Sequence, residues 1–359
     1  MRCLLALFAA VLLSGCSTMG YYWQSVSGHM QMMNAARPVT EVLADPQTPA
    51  TLKPRLELSQ RIRSFAVTQL KLPDNASYHR YADLHRSAVV WNVVAAPEFS
   101  LTLKTWCFPV AGCVGYRGYF NEAEARAEAE QLKLEGLEVS VYGVPAYSTL
   151  GWMNWAGGDP LLNTFIGYPE GELARLIFHE LAHQVVYASG DTMFNESFAT
   201  AVERLGSKSW LGTQASEAAR QEYAALDQRR QQFRALGLKM RTDLARIYLT
   251  NEAVAQSNRV QAATQSIAKG LAMQRFRSDY AQLKAAWGGF SGYDGQVARA
   301  NNASFGAQAA YDELVPGFEA LFEAGGRDWQ RFYDAVKRLA ALPKNERHQA
   351  LTTQETTQQ

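Results

Sequence analysis

The chain has 359 residues, of which 47% are hydrophobic, so it is long enough to bury a sizeable core and to hold two or three domains. Its 35 basic and 34 acidic side chains leave a formal net charge of +1. This balance gives no electrostatic case for binding nucleic acid or a strongly anionic surface, and we expect no nucleic-acid partner.

The N-terminus has the pattern of an export signal. Arg2 supplies a short positive region, and the apolar run over 4–13 that follows is too short to span a bilayer as a mature helix. The run ends in Leu13-Ser14-Gly15-Cys16, which resembles the lipobox of bacterial lipoproteins. This resemblance implies that residues 1–15 are a signal peptide and that the Cys16 thiol carries diacylglycerol, which would attach the protein to a membrane.

An ordinary secretory signal with an incidental cysteine is the alternative interpretation of this segment. Ser17 follows the cysteine, in place of the aspartate that is associated with retention in the inner membrane. We therefore expect a lipoprotein of the bacterial cell envelope, held at the outer membrane and facing the periplasm.

Two cysteines are then left in the mature chain, Cys107 and Cys113. An even pair in an oxidising compartment favours a disulfide, which here would close a small loop. Metal ligation is the alternative, but it lacks a second cysteine pair or a histidine nearby.

The first half of the mature chain divides into two regions. Residues 16–75 form a predicted lipid-anchored helical segment, with a helix over 56–70 where apolar residues recur at helical spacing. Residues 76–170 form a predicted mixed α/β region. Its β-branched and aromatic runs predict strands over 88–95, 101–108 and 137–142, and a helix capped by Asn121 runs to about residue 134.

The second half is predicted to be helical throughout. No proline occurs between Pro169 and Pro316, and long helical patterns over 215–236 and 241–287 suggest an antiparallel hairpin that turns near Gly237. Residues 171–345 make up this region, and the polar residues 346–359 read as a disordered tail. The predicted class is α+β and predominantly helical, with a small sheet leading into a pair of metal-binding helices, then the hairpin and C-terminal helices.

The motif that carries chemistry is His179-Glu180-Leu181-Ala182-His183. Positions i and i+4 share one face of a helix, so both imidazoles can reach one metal ion. Glu180 then points toward water on that metal, which is the H-E-x-x-H arrangement of zinc peptidases. Catalytic zinc usually has three protein ligands and one open position, so a third ligand is expected.

Two carboxylates downstream compete for that role, Glu196 and Glu203. They are seven residues apart and share a helix face. The run Asn195-Glu196-Ser197-Phe198-Ala199 closely resembles the N-E-G-F-A stretch of metallo-aminopeptidases of the gluzincin class, and the segment from His179 to Gln184 resembles their H-E-L-A-H-Q. The resemblance implies that His179, His183 and Glu196 bind one Zn²⁺ and that Glu180 is the general base.

The spacing departs from that class, whose members have roughly eighteen or nineteen residues before the third ligand. By counting alone, Glu203 would be the ligand. We favour Glu196 because the surrounding residues match, with Glu203 orienting a histidine from behind.

Nearly all of the mature chain also resembles a group of bacterial envelope proteins named putative aminopeptidases. The shared sections are the lipobox, the segment over 107–120, Ala146-Tyr147-Ser148-Thr149-Leu150-Gly151, the metal helix and the section that begins at Asn301. This resemblance implies a zinc peptidase, expected to be an aminopeptidase with a peptide as substrate. An envelope endopeptidase that acts on proteins or peptidoglycan peptides is the alternative enzyme, and a lipid-anchored scaffold or chaperone with structural zinc is the non-catalytic one.

Two further roles are predicted around the metal. Substrates of zinc peptidases often add as an extra strand to a sheet edge, and Tyr147, Ser148, Thr149, Leu150 and Gly151 are the proposed edge; an internal strand with a surface loop is the alternative. A tyrosine commonly stabilises the oxyanion in this chemistry, and Tyr311 is proposed ahead of Tyr248 and Tyr187.

Overall fold

Helices make up most of the described chain, and short strands form three small sheets. The structure is a computed structural model that describes residues 20–108, 112–252, 259–308 and 313–356. The helices are α1 (20–35), α2 (Val39–Ala44), α3 (Lys53–Thr68), α4 (Glu122–Leu134), α5 (Glu170–Ala182), α6 (Thr192–Thr213), α7 (Glu217–Glu252), α8 (Arg259–Ala286), α9 (Asp294–Ala298), α10 (Asn302–Gln308), α11 (Val315–Ala324), α12 (Trp329–Ala340) and α13 (Lys344–Thr356). The prediction of a predominantly helical α+β class is confirmed.

One of the three sheets has three antiparallel strands. The strands of the structure are β1 (Arg37–Pro38), β2 (Arg80–Ala82), β3 (Val90–Pro97), β4 (Trp106–Phe108), β5 (Gly112–Val114), β6 (Arg117–Tyr119), β7 (Leu137–Val144) and β8 (Leu161–Leu162). In the order β6-β3-β7, the central β3 is buried at nearly every position, as its continuous apolar run requires. The helix α4 packs on this sheet and begins where predicted, because the Asn121 side chain accepts hydrogen bonds from the amides of Ala123 and Glu124.

The helices α5 and α6 form the centre of the main hydrophobic core. The buried apolar side chains of α5 meet those of α6, and α3, α11, α12 and α13 close the core around them. The largest of the fully buried side chains on the two helices are Phe178, Phe194 and Phe198. A metal site between α5 and α6 is therefore held by two helices whose apolar faces are buried in the main core.

The long hairpin exists, but the predicted turn at Gly237 is wrong. The helix α7 runs without a break through Gly237 to Glu252, and α8 lies antiparallel to it, as the contacts Gln232–Trp287 and Lys239–Asp279 show. A glycine inside a helix costs about 1 kcal/mol relative to alanine, which packing can offset. The end of the Gln308 side chain, from α10, lies over Gly237, 2.3 Å from where a Cβ would be.

The predicted disordered tail is also wrong over most of its length, because residues 344–356 form α13. Leu351 is fully buried, and its backbone lies so close to Gly317 of α11 that a Cβ there would meet it at 2.3 Å. Arg347 and His348 approach the buried carboxylate of Asp191, with His348 Nε2 2.9 Å from it. One leucine and two polar contacts anchor a segment whose composition alone predicts disorder.

A glycine packed against backbone offers a stability test of the loop before α5. Gly158 has φ +64°, and a Cβ there would lie 2.4 Å from the amide nitrogen of Ser77. We expect Gly158→Ala to lower the free energy of unfolding by about 2–4 kcal/mol, from the left-handed backbone and the overpacking together. Denaturant titration measures it. Gly167→Ala, whose Cβ would meet nothing within 4 Å, is the control, and equal midpoints for the two variants would contradict the expectation.

Candidate metal centre

Three side chains converge between the end of α5 and the start of α6. His179 lies in the last turn of α5, His183 caps its C-terminus, and Glu196 lies in the first turns of α6. The Nε2 atoms of the two histidines are 3.1 Å apart, and Oε2 of Glu196 lies 3.4 Å from His179 Nε2 and 3.8 Å from His183 Nε2. These three residues form the one group of at least three potential ligands found among the described residues that could hold a metal ion.

The spacing of the donor atoms fits a tetrahedral cation. Four ligands at about 2.0–2.1 Å in a tetrahedron lie about 3.3 Å from one another, close to the three distances observed. Two imidazole nitrogens and one carboxylate oxygen also match the donor set of catalytic zinc sites, in which a fourth position stays open. Two Nε2 lone pairs at this separation repel each other unless a proton or a cation lies between them.

Local contacts in the connection from α5 to α6 fix the position of Glu196. The Asn195 side chain accepts a hydrogen bond from the Ala188 amide at 2.7 Å and donates one to the Ala188 carbonyl at 2.9 Å. Asp191 caps α6 by accepting from the Phe194 amide, and Gly190 turns the chain with φ +74°. The asparagine before Glu196 therefore acts as a clamp on the connection.

Glu203 lies on the other side of His179. Its Oε2 is 2.9 Å from His179 Nδ1, whereas Nε2 of that ring faces His183 and Glu196. The second oxygen, Oε1, accepts from Arg175 Nε at 2.8 Å. An Arg175–Glu203–His179 chain therefore fixes the ring orientation, and sequence reasoning missed Arg175, which lies one helical turn before His179 on the same face.

The charges of the cluster oppose the cost of burying it. Burial alone would raise the pKa of Glu203, but the Arg175 charge and the His179 hydrogen bond outweigh it and lower that pKa to about 2. Burial would lower the pKa of His179, yet hydrogen bonds to Glu196 and Glu203 raise it to about 10. Burial lowers the pKa of His183 to about 4, so this ring is neutral at physiological pH, whereas a metal that binds His179 would displace its proton.

Glu180 follows His179 and lines the cavities on both sides of it. Burial raises the pKa of its carboxyl to about 7, with the nearby carboxylates of Glu196 and Asp159 adding to the effect and His179 opposing it. A buried carboxyl that titrates near neutral pH can both accept and donate a proton during a reaction.

The metal centre lies between two cavities. The smaller, of about 470 Å³, contains all three ligand residues and is rich in aromatic side chains, among them Tyr116, Tyr147 and Tyr187. The larger, of about 1110 Å³, lies toward α7 and reaches the centre at His179 and Glu180. Of the described residues that line the smaller cavity, the carboxylates are Glu180 and Glu196 alone.

Cys107 and Cys113 are joined in a disulfide between the paired strands β4 and β5. Phe108 and Val114 of this hairpin line the smaller cavity. The hairpin also packs on the turn between the metal helices, since a Cβ at Gly112 would lie 2.9 Å from the Gly190 amide nitrogen. The disulfide thus joins the two strands that place Phe108 and Val114 at the cavity.

The segment predicted as a substrate edge is not a strand. Residues 146–149 are irregular, and β7 ends at Val144. The Thr149 amide and hydroxyl both donate to the buried Asp159 carboxylate, which removes a group that a substrate strand would need. Tyr147, Ser148 and Leu150 still line the smaller cavity, Gly151 lies beside the side chains of Asn154 and Gln184, and the edge role stays a prediction.

Gln184, the last residue of the H-E-L-A-H-Q stretch, ties this segment to the metal helix. Its side chain donates to Ser77 Oγ and to Asp159, and accepts from Asn75. Its carboxamide therefore links the residues before β2 and the Asp159 loop to the C-terminus of α5.

The tyrosines proposed as oxyanion donors lie in different places. Tyr311 falls outside the described residues, as does Cys16. Tyr248 donates to Asn302 at 2.8 Å in the core formed with α8 and α10. Tyr187 lines the metal cavity, and so does Tyr116, which sequence reasoning missed although its section was noted. Burial raises the pKa of both phenols, with the Glu196 charge adding to it, so both keep their protons as donors.

Comparison with known proteins identifies the family. A family model described as Putative aminopeptidase matches residues 20–351. The chain belongs to the putative aminopeptidase family. The matched range spans α1 to α13 and includes every residue of the metal centre, so membership in the putative aminopeptidase family indicates a peptidase-like function. Searches of the curated proteins and of the solved structures gave no match.

Proposed function

We propose that the protein is a zinc-dependent peptidase. The observation that supports this most is the set of donors His179, His183 and Glu196 at tetrahedral spacing, with Glu180 beside them. Glu203, fixed by Arg175, orients one ligand in the way that carboxylates orient zinc-bound histidines. A purely structural zinc would have a fourth protein ligand and no need of Glu180.

The proposed chemistry uses few groups. Zinc, when bound, polarises the peptide carbonyl and lowers the pKa of water toward about 7. Glu180 accepts the proton of the attacking water and passes it to the leaving amine, a role suited to a carboxyl that titrates near neutral pH. Tyr116 and Tyr187 are the proposed hydrogen-bond donors to the oxyanion.

Aminopeptidase activity is the first candidate for the mode of cleavage, because the family description supports it. An aminopeptidase holds the free α-ammonium of its substrate, usually through carboxylates near the metal. Asp159 is buried and bonded to Thr149 and Gln184, and Glu203 is bonded to Arg175 and His179. Neither acid therefore presents an open carboxylate to a substrate.

Endopeptidase activity is the second candidate, and the two cavities favour it. Both are lined by His179 and Glu180, and a passage between them would let a substrate extend on both sides of the scissile bond. The carboxylates Glu172, Asp227 and Glu319, which line the larger cavity, each form an ion pair with an arginine. Glu180 also lines this cavity, but its carboxyl is the proposed general base, so the described lining residues supply no further open carboxylate for an ammonium.

Peptides with blocked N-termini decide between the two modes. We expect acetylation of the α-amine to change kcat/KM by less than about tenfold, because the described carboxylates that line the two cavities, apart from the proposed general base Glu180 and the proposed ligand Glu196, are all paired with other side chains. Loss of a buried charge pair would cost about 3–5 kcal/mol, or more than about 100-fold. A drop of that size on acetylation would overturn the endopeptidase candidate and establish the aminopeptidase.

Zinc content and inhibition by a chelator are measured on the same preparation. An enzyme that is active without zinc would contradict the proposed zinc dependence.

For location, we propose attachment to the envelope membrane through a lipid on Cys16. The lipobox sequence supports it. As a separate finding, none of the described helices has the length and apolarity needed to cross a membrane. Mass spectrometry of the mature N-terminal peptide tests the attachment, and an unmodified Cys16 would contradict it.

A further inference from the structure

The first helix leaves an apolar stripe exposed. Four large side chains on α1 are open to solvent: Tyr22 is 41% exposed, Trp23 73%, Val26 59% and Met30 49%. At 3.6 residues per turn they fall within about 100° of arc, so they form one continuous face of the helix. We call these four residues the α1 stripe.

The opposite face of α1 is bound to the body. Gln24 donates to the Gly118 carbonyl and accepts from the Phe120 amide, and Tyr21 packs on Phe108 and Tyr119. A Cβ at Gly28 would lie 2.3 Å from the Phe120 ring, so the helix is seated closely. These contacts hold α1 in one rotation and therefore keep the stripe outward.

The composition of α1 is unusual for an exposed helix. From residue 20 to residue 36 the sequence has no Asp, Glu, Lys or Arg. Solvent-facing helices normally carry charge on the open side. By contrast, the exposed Ile267 and Leu271 of α8 flank Lys269, which pairs with Glu138.

We propose that the α1 stripe docks on the surface of a lipid bilayer. Tyr and Trp are the side chains that favour the membrane–water interface, and an uncharged apolar face beside them suits burial at the level of the headgroups. The lipobox cysteine lies six residues before Tyr22, so its acyl chains would be at most about 20 Å from the stripe. A lipid anchor and the stripe would therefore contact the same bilayer.

Docking would also fix which way the metal cavity faces. Tyr21 and Ser25, on the body side of α1, line the smaller cavity together with His183 and Glu196. A helix is about 10 Å across, so this wall of the cavity lies within about one helix diameter of the docked surface. Substrates held close to the membrane surface would then reach the site most readily, a consequence that rests on the proposed peptidase function.

The test follows Trp23 in the full mature protein, reconstituted in phosphatidylcholine vesicles with or without brominated acyl chains. The chain has eight tryptophans, so the spectrum of Trp23→Phe is subtracted from that of the wild type to isolate Trp23. We expect bromine to quench this component. Val26→Glu should lose most of that quenching, whereas the matched Ile267→Glu, at a side chain 66% exposed, should keep it.

The possible outcomes have different consequences for the docking proposal. An unquenched Trp23 component in the wild type overturns docking, and if Val26→Cys then cross-links two copies, the stripe is a dimer interface instead. Quenched Trp23 in a protein whose Cys16 proves unmodified supports the stripe and removes only the anchor. Peptidase rates and melting temperatures equal to those of the wild type would show that the variants are folded. If the wild type has no peptidase activity, the proposed function fails, but the quenching result is unaffected.

Discussion

Replacement of Glu180 by glutamine is expected to abolish peptide hydrolysis while the metal stays bound. Glutamine keeps the size of the side chain but cannot accept the proton of the attacking water at neutral pH. General-base catalysis contributes about 10²–10⁴-fold, so we expect kcat to fall by at least about 10²-fold. His179, His183 and Glu196 are unchanged, so the zinc content should stay at that of the wild type.

The measurement combines kinetics with metal analysis on one preparation. Asp227→Asn is a useful control, because Asp227 lines the larger cavity but pairs with Arg230 away from the ligands. It should keep both zinc and activity. A Glu180→Gln enzyme with wild-type kcat would overturn the proposed role of Glu180, whereas loss of zinc would show that Glu180 has a structural role at the site.

The second large effect is expected at Glu203. Glu203→Gln removes the charge that Arg175 and His179 share, so His179 loses its fixed orientation. Loss of such an orienting carboxylate weakens metal binding by about 10–100-fold. Glu196→Gln, which removes a charged ligand, should weaken it further. Competition with a chromogenic chelator gives both affinities.

This pair of variants separates the two roles that the sequence left open. If Glu203→Gln loses more zinc affinity than Glu196→Gln, then Glu203 is the ligand and Glu196 is not. The exposed pair Glu323–Arg327 supplies the control, because Glu323→Gln breaks an ion pair far less buried than that of Glu203. Surface pairs contribute about 0–1 kcal/mol, so neither zinc affinity nor stability should change measurably.

The sequence predicts the local parts of this site well. The apolar periodicity of α5 predicts a helix, and helical geometry is enough to place His179 and His183 on one face. The cap at Asn121 is predicted from neighbouring residues, and the fold class is predicted from the sum of many such local patterns. Each depends on residues within a few turns of one another.

The choice between Glu196 and Glu203 is different in kind. Both lie on one face of α6, two turns apart, and the position of α6 along its axis relative to α5 decides which one meets Nε2 and which meets Nδ1. That position follows from tertiary contacts, such as the hydrogen bonds of Asn195 to Ala188 and the bond from Arg175 to Glu203. The sequence pattern alone contains no information on this placement of α6, so the choice of Glu196 rests on the resemblance to the gluzincin aminopeptidases.

The sequence-based predictions that the structure contradicts have a common cause. A glycine predicts a turn at Gly237, but α7 contacts α8 on both sides of this position and continues through it. Polar composition predicts a disordered tail, but the burial of Leu351 and the contact of His348 with Asp191 hold α13. At Thr149, in the predicted substrate edge, the backbone is irregular and its amide donates to Asp159, ten residues away; the substrate-binding role itself stays a prediction. In each case a distant partner overrides a local preference.

X-ray absorption at the zinc edge of the purified protein tests the central claim most directly. We predict one zinc per chain, with two imidazole nitrogens and oxygen donors in the first coordination sphere, and one fewer imidazole in His183→Ala. A sphere that contains sulfur, or one that His183→Ala leaves unchanged, would contradict the assignment of His179, His183 and Glu196 as the ligands.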